Sequence, residues 1–149
     1  MKATYIDYSD TGSFSKTLLA YLSKQPDLAS YYGHFPDLDG FKKQIEAQKK
    51  FQHRELLVDQ LKDQYGGLLA SSPEVAQNLE RLKSNNTFTV TTGHQLNIFT
   101  GPLYFIFKIV TAIKLAQDLK ARFPEQDFVP VYWMATEDHD FDEINFFNF

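Results

Sequence analysis

The sequence predicts an α/β fold in which a mainly helical segment precedes a parallel sheet. Residues 87–91 and 128–134 form two apolar runs rich in β-branched and aromatic side chains, and one helix-length apolar segment separates them. A strand, a helix and a strand in this order form a right-handed crossover between parallel strands, which brings the carboxyl ends of both strands to one edge of the sheet. Ligands of open α/β sheets bind along that edge.

Residues 1–86 are predicted to be mainly helical. Thr4, Ile6 and Tyr8 alternate with polar residues, which suggests one short strand before the first helix. Farther along, apolar residues recur at helical spacing, and prolines and glycines separate the successive helices. This segment is therefore the first of two predicted regions.

A long amphipathic helix is predicted in the middle of that segment. Asp37 or Asp39 is expected to cap it, its apolar positions drift around one face, and the glycine pair at 66–67 supplies its stop. A further helix is predicted to begin near Pro73, with a serine cap. Arg54 is expected to form an ion pair on the surface of the long helix.

Residues 87–149 are predicted to be the first βαβ unit of an incomplete parallel-sheet domain. The crossover helix should begin near Pro102 and end near Arg122. One of its apolar stripes should pack on the sheet, and a second stripe must be buried by other parts of the protein. Lys108, in the second turn, could reach a phosphate, but we expect it to snorkel to solvent. Two parallel strands alone do not make a stable open sheet, so we expect the chain to be truncated.

Composition and charge narrow the classes of function. The chain has a formal net charge of −4 and no cluster of basic and aromatic residues, so nucleic acid is not an expected partner. It contains no cysteine, which excludes thiolate catalysis by its own residues and fits a reducing compartment, so the cytoplasm is the expected location. No apolar signal core occurs at the N-terminus, and lysines interrupt the most apolar window, so no membrane span is expected.

A candidate binding loop follows the first predicted strand, and its candidate residues are Gly93, His94, Gln95, Thr100 and Gly101. Glycine lets a backbone approach a ligand closely, and the N-terminus of the following helix favours anions, so a nucleotide phosphate would fit there. The competing interpretation is that the glycines only form tight turns and that His94 caps a neighbouring group. Neither a Walker loop nor a GxGxxG fingerprint is present, which disfavours a classical P-loop or NAD site.

A second candidate site follows the second predicted strand. This acidic turn consists of Glu137, Asp138, His139 and Asp140. Such a density of carboxylates is costly unless something positive binds there. Three interpretations are open: ligation of a divalent metal, acid–base catalysis by His139, or hydrogen bonds to substrate hydroxyl and amine groups. The competing interpretation is a capped helix N-terminus, but the position beside the first loop favours a functional site.

Residues 89–104 and 129–141 resemble two motifs of the BshC family, the cysteine-adding enzymes of bacillithiol biosynthesis. Weaker similarity covers the helical N-terminus, so the resemblance spans essentially the whole chain. It implies the N-terminal part of a Rossmann-like core, with a coiled coil and a homodimer in the full-length protein. The family usually carries glutamine where this chain has His94, so Gly93 and Gln95 carry over more directly.

The resemblance implies a ligase that joins the carboxyl group of cysteine to the amine of glucosaminyl-malate and so forms the amide of bacillithiol. A free carboxylate does not acylate an amine at neutral pH, so we expect activation by ATP or another nucleotide. In that hypothesis the loop from Gly93 to Gly101 holds a phosphate or an activated acyl group. Glu137, Asp138 and His139 hold the substrate amine or accept its proton. Asp140 belongs with the binding residues.

Two other classes remain open. A metal-dependent hydrolase or transferase would use Asp138, His139 and Asp140, and a chelator would remove its activity. A non-catalytic fragment would only bind a nucleotide or assemble with a partner. The chain alone is expected to be inactive, because its crossover helix lacks cover and later strands are absent.

Overall fold

The computed structural model describes residues 2–48, 51–95, 97 and 101–137. The chain divides into two units, Met1–Lys49 and Lys50–Phe149. In the described residues the first unit is helical, and the second contains helices and a parallel pair of strands. The predicted α/β class is therefore confirmed.

The first unit contains helices α1, Lys16–Leu22, and α2, Leu38–Ala47, together with 3-10 turns at Tyr8–Thr11 and Pro26–Tyr31. The Asp37 carboxylate accepts a hydrogen bond of 2.9 Å from the Gly40 amide, so the predicted cap of α2 is confirmed. Asp37 also forms an ion pair of 2.8 Å with Lys24. These two contacts hold the pKa of the Asp37 carboxyl below its usual value, with the hydrogen bond from Lys24 as the largest cause.

The short strand predicted around Ile6 is wrong. The described residues before Tyr8 have no regular structure, and a 3-10 turn follows them. The Asp7 carboxylate accepts hydrogen bonds from the hydroxyl of Ser9 at 2.6 Å and from its amide at 2.9 Å. This local bonding favours a turn over an extended strand.

The long helix predicted to reach the glycines at 66–67 is also wrong, because two helices occupy its place. Helix α2 ends at Ala47, Gln48 is extended, and helix α3 begins at Arg54. The apolar positions drift around the helix surface, so one straight helix could not bury all of them against one core. The two helices instead belong to different units.

Helices α3, Arg54–Tyr65, and α4, Pro73–Leu82, pack on one face of the sheet in the second unit. Helix α4 begins at the predicted proline, but Ser72 makes no capping bond with its side chain. The buried core of this layer consists of Val58, Leu79, Leu82 and Val129. The helical segment predicted for residues 1–86 thus contributes α3 and α4 to the unit that holds the sheet.

The side chain of Arg54 points into this layer. Its Nη1 donates to the carbonyl oxygen of Leu82 at 2.9 Å, and its Nη2 donates to that of Thr87 at 3.0 Å. The surface ion pair predicted for Arg54 is therefore wrong. The guanidinium instead joins the start of α3 to the end of α4 and to the first residue of the sheet.

Strands β1, Thr87–His94, and β2, Asp127–Met134, pair in parallel, with Thr87 opposite Asp127 and His94 opposite Met134. Helix α5, Leu103–Arg122, connects them and packs on the face opposite α3 and α4. On that face the rings of Phe105 and Tyr132 meet edge to face, with centroids 5.5 Å apart. The predicted strand–helix–strand connection between parallel strands is confirmed, and both strands end at one edge, called here the carboxyl edge.

Helix α5 presents one apolar stripe to the sheet and a second stripe away from it. The first stripe is buried at Ala112, Ala116 and Leu119. The second stripe is exposed by 41% to 65% in the described structure, at Leu103, Ile106, Val110 and Ile113. Among the helices of the described residues, none combines the length and the apolar character that a membrane crossing requires.

Candidate functional site

Strand β1 delivers the first predicted site residues to the carboxyl edge. Gly93 lies inside the strand and not in a turn, opposite Trp133 of β2. A Cβ atom at position 93 would lie 2.8 Å from the backbone oxygen of Trp133 and 3.0 Å from its Cβ. The close approach of the neighbouring strand therefore requires glycine here.

The Lys108 ammonium also reaches this edge. It donates a hydrogen bond of 2.5 Å to the carbonyl oxygen of Gly93, at the end of β1. The side chain is half-buried, so the expectation that Lys108 snorkels to solvent is wrong. Among the described side chains, no carboxylate is close enough to Lys108 to form an ion pair.

The imidazole of His94 has polar neighbours at both ring nitrogens. Its Nε2 lies 2.8 Å from the Tyr104 hydroxyl, and its Nδ1 lies 3.1 Å from the Asn97 amide nitrogen and 3.2 Å from the carbonyl oxygen of Gln95. The same Asn97 nitrogen donates to the Gln95 carbonyl at 2.9 Å. The two contacts at Nδ1 require opposite roles, because the Asn97 amide donates only to an unprotonated Nδ1 and the Gln95 carbonyl oxygen accepts only from a protonated one. We assign the Nε2–H tautomer on the shorter of these two contacts, so that Asn97 donates to Nδ1 and Nε2 donates to Tyr104.

Gly101, two residues before α5, lies against the side chain of Asn97. Gly101 has a left-handed backbone with φ of 64°, and a Cβ atom there would lie 2.8 Å from Cβ and Cγ of Asn97. Glycine at position 101 is thus required by both the backbone angle and the contact. Thr100, a predicted binding residue, lies outside the described residues.

Strand β2 and the residue after it, Ala135, are joined to the end of β1 through the carbonyl oxygen of His94. The Tyr132 hydroxyl donates to this oxygen at 3.1 Å, and the Ala135 amide donates to it at the same distance. Burial raises the pKa of Tyr132, so its hydroxyl remains a donor at neutral pH. The two strand ends therefore share one hydrogen-bonded junction.

The acidic turn begins directly after this junction. Glu137 is described and exposed, and it comes two residues after Ala135, the residue whose amide donates to His94. Asp138, His139 and Asp140 lie outside the described residues, so their predicted roles stay predictions. Within the described part of the chain, no group of three or more histidine and acidic side chains could hold a metal ion.

Sequence reasoning missed three side chains at this edge as site residues: Asn97, Tyr104 and Tyr132. Tyr104 and Lys108 are separated by four residues, a spacing that places both on one side of α5. That spacing could have indicated from the sequence that Tyr104 lies at the same edge as Lys108. The contact of Asn97 with His94 and the contact of Tyr132 with the first strand depend on tertiary packing, and no local pattern indicates them.

The chain matches the family described as "Bacillithiol biosynthesis BshC, N-terminal Rossmann-like domain" over residues 1–149. It is 51% identical to the "Putative cysteine ligase BshC" of Flavobacterium psychrophilum over 154 aligned residues, which cover 100% of this chain and 29% of the relative. The protein of the same name from Christiangramia forsetii is 50% identical over 151 residues, covering 99% of this chain and 28% of the relative. A more distant relative of that name, from Heliobacterium modesticaldum, is 36% identical over 152 residues, covering 94% of this chain and 27% of its own length.

The chain spans less than a third of the length of these curated relatives. The family match nevertheless covers the whole chain, and it confirms both the resemblance inferred from the two motifs and the Rossmann-like class of the fold. The chain therefore belongs to the BshC family of bacillithiol biosynthesis and corresponds to the family's N-terminal Rossmann-like domain.

Proposed function

We propose that the complete protein is a cysteine ligase that forms the amide bond of bacillithiol from L-cysteine and glucosaminyl-malate. The observation that supports this most is the identity of 51% to a relative named as a cysteine ligase, over the entire chain. The carboxyl edge adds chemical support, because neutral donors and a cation lie together where ligands of α/β sheets bind.

The proposed reaction requires an activated cysteine carboxyl group. The amine nitrogen attacks the carbonyl carbon, a C–N bond forms, and the C–O bond to a leaving group breaks with its electron pair. The amine must lose a proton in this step, which requires a base. ATP or another nucleotide is the proposed source of the leaving group.

The residues at the carboxyl edge divide between these tasks in the proposal. The phosphate or the activated acyl group is held by residues at the two ends of the loop, which are Gly93, His94, Gln95, Thr100 and Gly101. This assignment is supported by the Lys108 ammonium beside the loop, which is a suitable partner for a phosphate oxygen.

The acidic turn supplies the second half of the proposed site. Glu137, Asp138 and His139 hold the substrate amine or accept its proton, and Asp140 contacts the substrate. The parallel pairing supports this assignment, because it ends β2 beside the loop that follows β1.

The proposal is tested by His139→Ala in the complete protein, with product measured by mass spectrometry. We expect product formation to fall at least about a hundredfold, the usual contribution of an acid–base residue. His34→Ala, at an exposed histidine, is the control and should keep full activity. Normal turnover by the His139 variant would refute its role, and an activity of the wild type that needs no nucleotide and is lost on addition of a chelator would favour a metal-dependent hydrolase or transferase.

A further inference from the structure

Lys108 places a positive charge at the carboxyl edge, and the part of helix α5 around it carries no other charge. It is the only charged residue among positions 103–110, and its ammonium donates to the carbonyl oxygen of Gly93. An ammonium has three donors, and one carbonyl oxygen accepts only one of them. Since no described carboxylate pairs with Lys108, its charge favours an anion at this position.

Tyr104 lies one helical turn before Lys108, on the same side of α5. Its hydroxyl oxygen is 2.8 Å from Nε2 of His94, and its side chain is 54% exposed. In the assigned tautomer Nε2 donates its proton, so the Tyr104 oxygen is the acceptor of that bond. The hydroxyl proton of Tyr104 is then directed away from the imidazole and is available to a ligand.

We propose that Lys108 and Tyr104 together bind an oxyanion at the carboxyl edge of the sheet. The ligand is a substrate carboxylate or a nucleotide phosphate, two groups that share the same recognition chemistry. This inference rests on the proposed function for the supply of such ligands. His94 and Asn97 are positioning residues, because Asn97 fixes the tautomer of His94 and His94 orients the Tyr104 hydroxyl.

The test measures ligand affinity of the complete protein by isothermal titration calorimetry, with L-cysteine, malate, ATP and inorganic phosphate as separate probes. Lys108→Met keeps the aliphatic stem and removes the charge. We expect it to weaken binding of at least one probe by about tenfold or more, the usual effect of losing a charged hydrogen bond. Tyr104→Phe should weaken the same probe by about two- to tenfold, as for a neutral hydrogen bond.

Two matched controls keep the test specific. Lys114→Met removes a lysine of the same helix that forms an exposed ion pair with Asp118, and Tyr31→Phe changes a tyrosine that is 82% exposed. Both should leave every affinity within about twofold of wild type, because exposed pairs contribute little. Thermal unfolding of each variant verifies that it folds.

The probes distinguish the two sources of oxyanion. Weaker binding of cysteine or malate alone assigns the site to a carboxylate, and weaker binding of ATP and phosphate alone assigns it to a phosphate. If folded Lys108→Met and Tyr104→Phe proteins bind all four probes as wild type does, the oxyanion site is refuted. Product formation by the wild type is measured separately, so a protein that makes no bacillithiol but whose anion binding depends on Lys108 refutes only the ligase function.

The positioning role of His94 requires its own comparison. His94→Gln can still donate an amide N–H to the Tyr104 oxygen, whereas His94→Leu cannot. We expect His94→Leu to weaken binding as much as Tyr104→Phe does, with no further loss in the double variant, and His94→Gln to restore affinity. Additive losses in the double variant would contradict the positioning role.

Discussion

Removal of the Arg54 guanidinium should destabilise the second unit, because this group joins three elements. The change Arg54→Met keeps the aliphatic stem and deletes two hydrogen bonds, of 2.9 Å and 3.0 Å, to the carbonyl oxygens of Leu82 and Thr87. Hydrogen bonds from a charged donor contribute about 1.5–3 kcal/mol each, so the gross loss is about 3–6 kcal/mol. Nε of Arg54 is buried and has no partner in the described structure, and its removal returns about 1–3 kcal/mol. The difference between the midpoints of these two ranges gives an expected net loss in the free energy of unfolding of about 2.5 kcal/mol.

The assay is urea unfolding followed by circular dichroism, with stability obtained by linear extrapolation. Arg81→Met is the matched control, because the Arg81 guanidinium bonds only to side chains of its own helix, at Asn78 and Gln77, among the described residues. Its loss should cost less than about 0.5 kcal/mol. If Arg54→Met unfolds within about 0.5 kcal/mol of wild type, the proposed junction of α3, α4 and β1 does not stabilise the protein.

Two further predictions concern pH and packing. Hydrogen bonds from Lys62 and Lys83 lower the pKa of Glu80 to about 2, so its stabilising contribution is present above the usual glutamate pKa and is lost as the pH falls towards 2. Urea unfolding between pH 5 and pH 2 should therefore show a smaller decrease for Glu80→Gln than for wild type, and equal decreases would contradict the ion-pair explanation. Gly93→Ala should lower stability by about 1–3 kcal/mol through its clash with the opposite strand, whereas Gly67→Ala, with open space around the new Cβ, should not; equal unfolding midpoints for the two variants would refute the clash.

The crossover was predictable because its signals are local and strong. The two strands are marked by runs of β-branched and aromatic residues, and the helix between them by apolar residues at helical spacing. The rule that such connections are right-handed then gives the arrangement of the three elements. The break between α2 and α3 was not predictable in the same way, since residues 48–53 contain no glycine or proline. Helices α2 and α3 make their contacts within different units, and such tertiary contacts override helix propensity.

The candidate site shows the same division between local and long-range information. Parallel topology correctly places the ends of β1 and β2 together, so Gly93, His94 and the start of the acidic turn were expected at one edge. The direction of the Lys108 side chain was not predictable, because an apolar helix with one lysine fits both a snorkelling and an inward ammonium. Only the position of the Gly93 carbonyl oxygen decides between them.

The shared carbonyl oxygen of His94 has a consequence for the order of events during synthesis. Strand β1 leaves the ribosome before α5 and β2, yet the two donors to the carbonyl oxygen of its last residue, from Tyr132 and Ala135, belong to the last described segment. The end of β1 therefore lacks both hydrogen bonds while the chain is still short, since these contacts form only after the crossover is complete. The carboxyl edge is thus completed late in the maturation of the chain, and a substitution that slows the docking of β2 delays its formation as a whole.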